Sequence, residues 1–193
     1  GRFNEIIQKR PVHNEIQERR EREKYEGAFV LQPNPGLYEN LAIFDFTSYW
    51  PSIIVTFNLS AATFLGESKT EKDALEVKVG EKKFYFLRKR GFFPEMLEEI
   101  IELRKKYKQD YAKNKNPITK ARSNAYKLLA NASYGYQGFF GARYYCPEAS
   151  AATTNISREF IKRIIENINK EGFKVIYADT DGVSFLLQDK CFS

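Results

Sequence analysis

Two apolar stretches that end in aspartates are the strongest constraint on how this chain can fold. At 41–46 the sequence reads L-A-I-F-D-F, so Asp45 directly follows four apolar residues. Near the C-terminus, V-I-Y-A leads into D-T-D-G, and a second apolar run follows at 183–187. Short apolar runs flanked by turn residues predict strands. A buried strand would hold the acids at its end on a rigid element.

Further strand and helix patterns lie between these stretches. The predicted elements are a strand at 41–46, a helix at 51–58, a hairpin at 75–79 and 82–87, helices at 94–113, 118–134 and 147–171, and strands at 173–178 and 183–187. Pro51 fits the first turn of its helix, and Gly135 and Gly172 are expected to end theirs. The break at 114–117 predicts that the two central helices form an antiparallel hairpin. With a polar, partly helical lead-in at 1–27, this order predicts an α+β fold.

The basic residues of the chain are concentrated in one segment. The chain has 193 residues, 42% of them hydrophobic, and a net charge of +6. Within 103–127 nine basic residues accompany one acid, Asp110. The nine are Arg104, Lys105, Lys106, Lys108, Lys113, Lys115, Lys120, Arg122 and Lys127. A segment of one sign predicts a surface for phosphate groups, and a solvated helix face is the alternative.

The cysteines, the histidine and the apolar runs exclude several kinds of site. Cys146 and Cys191 have neither C-x-x-C spacing nor a nearby histidine, so they predict no metal site and no disulfide framework. His13, the only histidine, lies in a polar segment, which argues against histidine general-base catalysis. No apolar run is long enough to span a bilayer, and we predict a soluble protein of the cytoplasm.

The three aspartates have a spacing that suits metal ligation. Asp179 and Asp181 are separated by one residue, and in extended chain such residues point the same way. Asp45 on a neighbouring strand would be a third converging acid. The alternatives are turn chemistry for the D-T-D-G segment and a helix cap for Asp45. Converging carboxylates favour Mg²⁺, and two such ions stabilise the attacking and leaving oxygens of a phosphoryl transfer.

A polar helix face lies within the basic segment. Four residues spaced four, four and three apart share one side of the second central helix: Ser123, Lys127, Asn131 and Tyr134. On the facing helix, Arg104 and Lys108 are also four residues apart. Cations from two antiparallel helices are suited to gripping a triphosphate from both sides. A solvated basic face is again the alternative.

Three motifs in a fixed order carry a family resemblance. They are D-F-T-S-Y-W-P-S-I-I at 45–54, K-L-L-A-N-A-S-Y-G at 127–135 and Y-A-D-T-D-G at 177–182. Over about 25–185 the chain resembles the palm and fingers of family B DNA polymerases, most closely archaeal ones. The resemblance implies a palm sheet with packed helices and a projecting antiparallel two-helix fingers hairpin. The implied division is a lead-in and start of the palm at 1–40, palm at 41–93 and 136–193, and fingers at 94–135.

The resemblance implies metal ligands in the first and third motifs. Asp45 and Asp181 would be the main ligands of two Mg²⁺ ions, with the Phe46 carbonyl assisting. Asp179 would lie beside the metal nearer the primer end. These roles are those that the family's motifs have, transferred position by position.

The resemblance also implies contacts to nucleotide and template. The residues implied to hold the incoming nucleotide are Arg104, Lys108, Lys127 and Asn131, with Tyr134 packed behind the nascent base pair. Y-E-G-A at 25–28 is similar to a template-contacting motif, which implies that role for Tyr25 and Gly27. Ala28 departs from the second glycine that is usual there.

The residue before the proline of the first motif also departs from the family. Relatives normally have a tyrosine there, whose ring lies under the sugar and excludes a 2′-hydroxyl. This chain has Trp50 at that position, preceded by Tyr49. We expect Trp50 to act as the sugar gate, with Tyr49 as the alternative.

The resemblance implies template-directed DNA synthesis, with primer–template DNA and deoxynucleoside triphosphates as partners and a location near the nucleoid. Family members are several times longer, so the exonuclease domain, the rest of the palm and the thumb are expected elsewhere in the same protein or in a second chain. One alternative is a non-catalytic nucleic-acid-binding fragment or a subunit of a split polymerase. Another is a two-metal nuclease, against which the face carrying Lys127, Asn131 and Tyr134 argues, since hydrolysis needs no triphosphate clamp.

Overall fold

The computed structural model describes residues 6–22 and 25–187, and Cys191 lies outside them. These residues form helices and strands in mixed order, which confirms the α+β class. The elements are α1 His13–Glu21, β1 Val30–Leu31, β2 Leu41–Asp45, α2 Tyr49–Phe57, β3 Phe64–Gly66, β4 Leu75–Val79, β5 Lys82–Phe86, α3 Phe92–Asn114, α4 Pro117–Gly138, α5 Pro147–Lys170, β6 Lys174–Asp179 and β7 Gly182–Leu186.

The strands form two antiparallel sheets. The larger has the order β1-β6-β7-β2 and the smaller the order β3-β5-β4. Asp45 of β2 lies opposite Gly182 of β7, and Gly182 also lies opposite Asp179 of β6. The register therefore brings the aspartate-bearing ends of β2 and β6 to the same end of the larger sheet.

Helix α5 packs against both sheets and against α2. Its first half is buried and consists mostly of small residues: Ala149, Ser150, Ala151, Ala152, Thr153 and Thr154. Small side chains allow neighbouring elements to approach the helix closely. Larger apolar residues complete this core, among them Phe84 and Phe86 of the smaller sheet and Ile161 of α5. The larger sheet, one end of which carries the aspartates, therefore packs against this core.

The two long helices α3 and α4 pack against each other as an antiparallel pair. They are joined at Lys115, which has a positive φ of 51°, and at Asn116, whose side chain accepts a hydrogen bond from the Ile118 amide at 2.8 Å. The rings of Tyr107 and Tyr126 stack across the pair with centroids 5.6 Å apart. The predicted helical hairpin is confirmed. No helix within 6–22 and 25–187 is long and apolar enough to cross a membrane.

A buried asparagine ties α2 to the start of α3. The Asn58 side-chain amide donates to the carbonyls of Leu87 and Lys89 at 2.6 and 2.8 Å, and its oxygen accepts from the Gly91 amide at 2.9 Å. Asn58 itself has a positive φ of 58° and ends α2, a conformation that asparagine tolerates better than most residues. Gly91 is required at its position, since a Cβ there would lie 2.5 Å from Thr63 Cγ2.

Several predicted boundaries are wrong. Helix α4 continues through Gly135 to Gly138; Ser133 and Gln137 in this part of the helix are buried, and the Gln137 carbonyl accepts a hydrogen bond from the Cys146 amide at 2.8 Å. Helix α2 begins at Tyr49, two residues before Pro51. The short strands β1 and β3 have no clear sequence pattern and were not predicted.

Strand β2 lies at one end of the larger sheet, and within the described residues it has a neighbour on one side only. Its side chains are apolar on both faces, yet Ile43 is 71% exposed and Phe44 is 60% exposed. Phe44 stacks on Phe185 of β7 with ring centroids 5.7 Å apart, and this contact shields part of its side chain from solvent.

Candidate active site

Two backbone turns bring Asp45 and Asp181 together. Thr180 and Asp181 form the turn between β6 and β7, where Thr180 has a positive φ of 54°. The Phe46 amide, just after β2, donates to the Asp181 carbonyl at 2.8 Å. A Cβ on Gly182 would lie 3.3 Å from the Phe44 carbonyl oxygen, a tight contact, and 3.5 Å from Asp45 Oδ1, an ordinary one. The glycine of D-T-D-G thus favours the close approach of β7 to the backbone of β2.

The two acids influence each other electrostatically. The pKa of the Asp181 carboxyl is raised, first by partial burial, then by the negative charge of Asp45 and to a lesser extent by that of Asp179. Neighbouring carboxylates that repel each other are stabilised by a cation between them. The donor set, hard carboxylate oxygens, is the type that Mg²⁺ prefers. Asp45 and Asp181 therefore fit a divalent metal.

Asp179 does not share this arrangement. Its carboxylate accepts hydrogen bonds from the Tyr177 hydroxyl at 3.1 Å and the Thr180 hydroxyl at 2.7 Å. The expectation that Asp179 and Asp181 point the same way assumed extended chain, and the left-handed Thr180 breaks that alternation. Among residues 6–22 and 25–187, no group of three or more acidic, histidine or cysteine side chains is placed to hold a metal.

A cleft of about 440 Å³ opens beside the two acids, and we call it the aspartate cleft. It is lined by Asp45, Phe46, Thr47, Ser48, Tyr49, Trp50, Pro51, Arg104, Lys127, Asn131, Thr180 and Asp181. Residues from the sheet, from α2 and from both long helices therefore meet around one space. Carboxylates lie on the sheet side and cations on the helix side, an arrangement suited to a metal-bound polyphosphate.

Ser48 connects the helical pair to the sheet end of the cleft. Its hydroxyl accepts a hydrogen bond from the Arg104 guanidinium. Ser48 has a positive φ of 54° and is the residue before α2. This left-handed residue turns the chain sharply between Asp45 and α2. It was not predicted as a site residue, because neither its conformation nor its long-range partner is visible in the sequence.

Lys108 and Ser123 line a second space, the lysine pocket, of about 290 Å³. Its walls are Arg104, Lys108, Tyr111, Lys120, Ser123, Asn124 and Lys127. Arg104 and Lys127 line both this pocket and the aspartate cleft. The cations predicted to hold phosphate are thus arranged in a row that leads away from the acids.

Trp50 and Tyr49 are held by the same residue of α5. The Trp50 indole N–H donates to Ser157 Oγ at 3.3 Å, and the Tyr49 hydroxyl donates to the Ser157 carbonyl at 3.0 Å. Tyr49 is buried, and burial is the main cause of the raised pKa of its phenol. Trp50 is only partly buried and lines the aspartate cleft. Ser157 is a further contact that the sequence does not reveal.

Tyr134 lies behind Trp50 as seen from the cleft. The two ring centroids are 4.0 Å apart at an interplanar angle of 60°. Burial raises the pKa of the Tyr134 phenol, and a hydrogen bond with Thr154 partly offsets this. Tyr134 does not line the aspartate cleft itself; it lines a third space on the other side.

Comparison with known proteins places the chain in a family. The model of the family described as DNA polymerase family B matches residues 3–190. The chain belongs to DNA polymerase family B. It is 39% identical over 184 residues to DNA polymerase 1 of Pyrococcus abyssi, and 40% identical over 184 residues to a DNA polymerase of Thermococcus gorgonarius. Each alignment covers 93% of this chain and 23% of the relative, so the chain spans under a quarter of their length.

A solved family B polymerase has the same fold over this region. The structure of the enzyme from the hyperthermophilic archaeon Pyrobaculum calidifontis matches with a TM-score of 0.72 and 31% sequence identity. The match covers 97% of this chain and 25% of that one. The resemblance to archaeal family B polymerases read from the three motifs is confirmed.

The two residues predicted to contact template, Tyr25 and Gly27, do not line the aspartate cleft. The Tyr25 ring packs edge-on against Phe84, with centroids 5.7 Å apart. The Gly27 carbonyl accepts a hydrogen bond from Arg158 at 2.8 Å, and a Cβ on Gly27 would meet nothing within 4 Å. Gly27 is therefore not required by packing within the described residues. Tyr25 lines the same third space as Tyr134.

Proposed function

We propose that this chain is the nucleotide-incorporating core of a DNA-directed DNA polymerase, with a palm at 41–93 and 136–193 and fingers at 94–135. The observation that supports this best is the aspartate cleft, where Asp45 and Asp181 face Arg104 and Lys127 across one space. The reaction is attack of a primer 3′-hydroxyl on the α-phosphate of a deoxynucleoside triphosphate, with loss of pyrophosphate. The geometry offers positioning and charge stabilisation, which suffice for this chemistry.

The sheet side of the cleft would hold the metals. Asp45 and Asp181, with the Phe46 carbonyl, would be the ligands of two Mg²⁺ ions, whose charge stabilises the attacking and leaving oxygens. The raised pKa of Asp181, caused first by burial and then by the charge of Asp45, supports this assignment, since a cation between the two carboxylates would relieve their repulsion. Asp179 would lie on the primer side, since each of its carboxylate oxygens accepts only one hydrogen bond among the described residues, from Tyr177 or Thr180, and keeps a free lone pair.

The helix side of the cleft would bind the incoming nucleotide. Arg104, Lys127 and Asn131 line the cleft, and Lys108 extends the row of cations outward. Trp50 would lie under the sugar, and Tyr134 would support the nascent base pair from behind Trp50. None of these cations forms an ion pair with an acid among the described residues, so their charge is available for phosphate.

The remaining parts of the polymerase would come from outside this segment. Because the chain covers 23% of its relatives, we propose that exonuclease, thumb and further palm residues act with it on primer–template DNA. A position near the nucleoid in the cytoplasm stays a prediction. The second candidate function is that of a nucleic-acid-binding chain that needs such a partner for catalysis. The observation that favours it is that the chain spans only 23% of the length of its relative.

The test is extension of a labelled primer–template by this chain with Mg²⁺ and deoxynucleotides. Growth that is lost in Asp181→Asn but kept in Asp73→Asn, an acid away from the cleft, would support a self-sufficient core. Duplex and nucleotide binding without growth would favour the partner-dependent candidate. Shortening of the labelled strand would favour a nuclease, and a folded chain that binds neither DNA nor nucleotide would overturn both polymerase proposals.

A further inference from the structure

One buried serine of α5 contacts both aromatic residues at the start of α2. The Trp50 indole N–H donates to the Ser157 hydroxyl at 3.3 Å, and the Tyr49 hydroxyl donates to the Ser157 carbonyl at 3.0 Å. The backbone carbonyl is present whatever residue stands at 157. A change of the side chain there therefore removes the contact to Trp50 and keeps the carbonyl contact to Tyr49.

Trp50 is packed on one side and open on the other. Its ring centroid lies 4.0 Å from that of Tyr134 at an interplanar angle of 60°, and its side chain lines the aspartate cleft. A tilted contact between two rings limits how far the indole can move towards α4, but it does not stop the indole from turning towards the open cleft. The hydrogen bond to Ser157 does, because such a bond weakens steeply when donor and acceptor are misaligned.

The same face of α5 also holds the ring behind Trp50. A hydrogen bond with Thr154 partly offsets the raised pKa that burial gives the Tyr134 phenol. Thr154 and Ser157 are three residues apart, so they are neighbours on one face of the helix, and both are 1% exposed. Helix α5 packs against both sheets and against α2. Two buried hydroxyls on a firmly packed helix thus hold the ring pair.

Loss of the Ser157 hydroxyl would leave the indole without this acceptor. An indole N–H only donates hydrogen bonds, and a donor that loses its partner carries a desolvation cost. The cleft is where water can replace the lost acceptor, because Trp50 lines it. The ring would therefore turn towards the water of the cleft and leave the position that the structure shows.

We propose that Ser157 is a positioning residue for sugar selection, and that its hydroxyl holds the Trp50 ring where the 2′-hydroxyl of an incoming nucleotide would collide with it. The inference rests on the proposed polymerase function and names a residue that determines its specificity. A ring that is free to turn gives way to the extra oxygen of a ribonucleotide, whereas a ring fixed by Ser157 does not. Ser157 does not line the aspartate cleft, so it acts through Trp50.

The first measurement tests the hydrogen bond without catalysis. Trp50 is the only tryptophan of the chain, so tryptophan fluorescence reports on it alone. Ser157→Ala should lower the steady-state anisotropy of Trp50 and increase its quenching by acrylamide, because the ring moves more and meets more solvent. Thr153→Val is the matched control. It removes another buried hydroxyl of α5, which donates to the Ala149 carbonyl at 2.8 Å, and it should change neither value.

The second measurement is sugar discrimination, given by the ratio of kcat/KM for dATP and ATP in primer extension with Mg²⁺. Ser157→Ala should lower this ratio by about three- to tenfold through faster use of ATP, the range expected for one hydrogen bond. Arabinosyl-ATP, whose 2′-hydroxyl points to the opposite face of the sugar, should gain nothing. If the chain needs the remaining polymerase parts for extension, calorimetry gives the ratio of Kd for the same nucleotides on a dideoxy-terminated primer–template.

A double-mutant comparison separates positioning from a general structural effect. Trp50→Phe keeps a ring beside the cleft but has no N–H to donate. Ser157→Ala should have no further effect on the ratio in a chain that already carries Trp50→Phe. Tyr49→Phe, which keeps the bond from Trp50 to Ser157, should retain the discrimination of the unaltered chain.

Three outcomes would overturn the inference: unchanged anisotropy and quenching in Ser157→Ala, unchanged discrimination in that variant, or an equal loss of discrimination when Trp50→Phe is already present. Each leaves the proposed polymerase function standing if Asp181-dependent extension or nucleotide binding persists. A folded, unaltered chain that binds neither DNA nor nucleotide would instead remove the proposed function, and the role in sugar selection with it, whatever the fluorescence of Ser157→Ala shows.

Discussion

The ring centroids of Trp50 and Tyr134 lie 4.0 Å apart at an interplanar angle of 60°, and the two side chains line different cavities. Trp50 lines the aspartate cleft, whereas Tyr134 lines a separate cavity of about 550 Å³. The pair joins α2 to α4, and the Trp50 indole is fixed from a third helix by Ser157 at 3.3 Å. A movement of α4 therefore has to change the packing behind the residue that we place under the sugar.

The first prediction concerns sugar selection. Trp50→Ala should raise ribonucleotide incorporation relative to deoxyribonucleotide by roughly tenfold or more, because it removes the ring that lines the cleft. Tyr49→Phe should keep discrimination and lose some stability, since the Tyr49 hydroxyl bonds the Ser157 carbonyl inside the protein. The ratio of kcat/KM for the two nucleotides measures discrimination in each variant, and the melting temperature measures stability. Unchanged discrimination in Trp50→Ala would place the gate at another residue, with Tyr49 as the alternative.

The second prediction concerns nucleotide affinity. Lys127→Gln should weaken binding of a deoxynucleoside triphosphate by about ten- to hundredfold, the usual loss for a charge-assisted hydrogen bond. Trp50 is the only tryptophan of the chain and lines the same cleft, so its fluorescence reports binding directly. Lys113→Gln, at the end of α3 and in neither the cleft nor the lysine pocket, is the control. Equal losses in both variants would mean that only overall charge matters.

The third prediction concerns pH and metal. In the folded state the pKa of Asp181 lies above its ordinary value of 3.8. The contribution of Asp181 to the free energy of unfolding is therefore full below about pH 3.8 and is lost as the pH rises through the raised pKa. At pH 7 without metal, Asp181→Asn should therefore melt higher, by roughly 1–2 °C for a carboxyl this exposed. The advantage should shrink as pH falls toward 4.

Magnesium should reverse this difference. Added Mg²⁺ should raise the melting temperature of the unaltered chain more than that of Asp181→Asn, because binding to the folded state stabilises it. Asp73→Asn, at an acid outside the aspartate cleft, is the control and should respond to Mg²⁺ as the unaltered chain does. If Mg²⁺ stabilises both chains equally, Asp181 is not a ligand.

The fourth prediction concerns stability away from the cleft. Asn58→Ala should lower the free energy of unfolding by about 2–4 kcal/mol, because one buried and two partly buried backbone groups lose their partner and alanine disfavours the positive φ. Asn58→Gly should be less harmful by about 1 kcal/mol, since glycine accepts that φ. Urea unfolding of both variants measures the difference. Two variants of equal stability would show that the left-handed conformation carries no cost.

The sequence predicts the helical pair and its cations well because these depend on local periodicity. Spacing alone places Lys127 and Asn131 on one face, and the structure has both at the cleft with Arg104. Asp179 is different, because its direction depends on the left-handed Thr180, and β-branched residues adopt that conformation too rarely to predict. Gly135 likewise reads as a helix end, yet packing of the following turn keeps it inside α4.

Contacts between distant residues are the part that no local pattern contains. Ser48 reaches Arg104, Ser157 fixes both Tyr49 and Trp50, and Asn58 bridges to the residues before α3. A serine or an asparagine has many possible partners, and only the fold selects one. The sequence likewise does not show that Arg22, in the predicted lead-in, pairs with Glu148 of α5 at 3.0 Å.

The free side of β2 governs the solution behaviour of the isolated segment. Leu41, Ile43 and Phe44 leave apolar surface on both faces of a strand whose outer backbone groups have no partner among the described residues. An exposed edge of this kind pairs with strands of other molecules, and it promotes aggregation as the protein concentration rises. A lysine at position 43 would obstruct that stacking without touching the cleft lining. The solubility of this chain can therefore be changed without altering the residues that line the aspartate cleft.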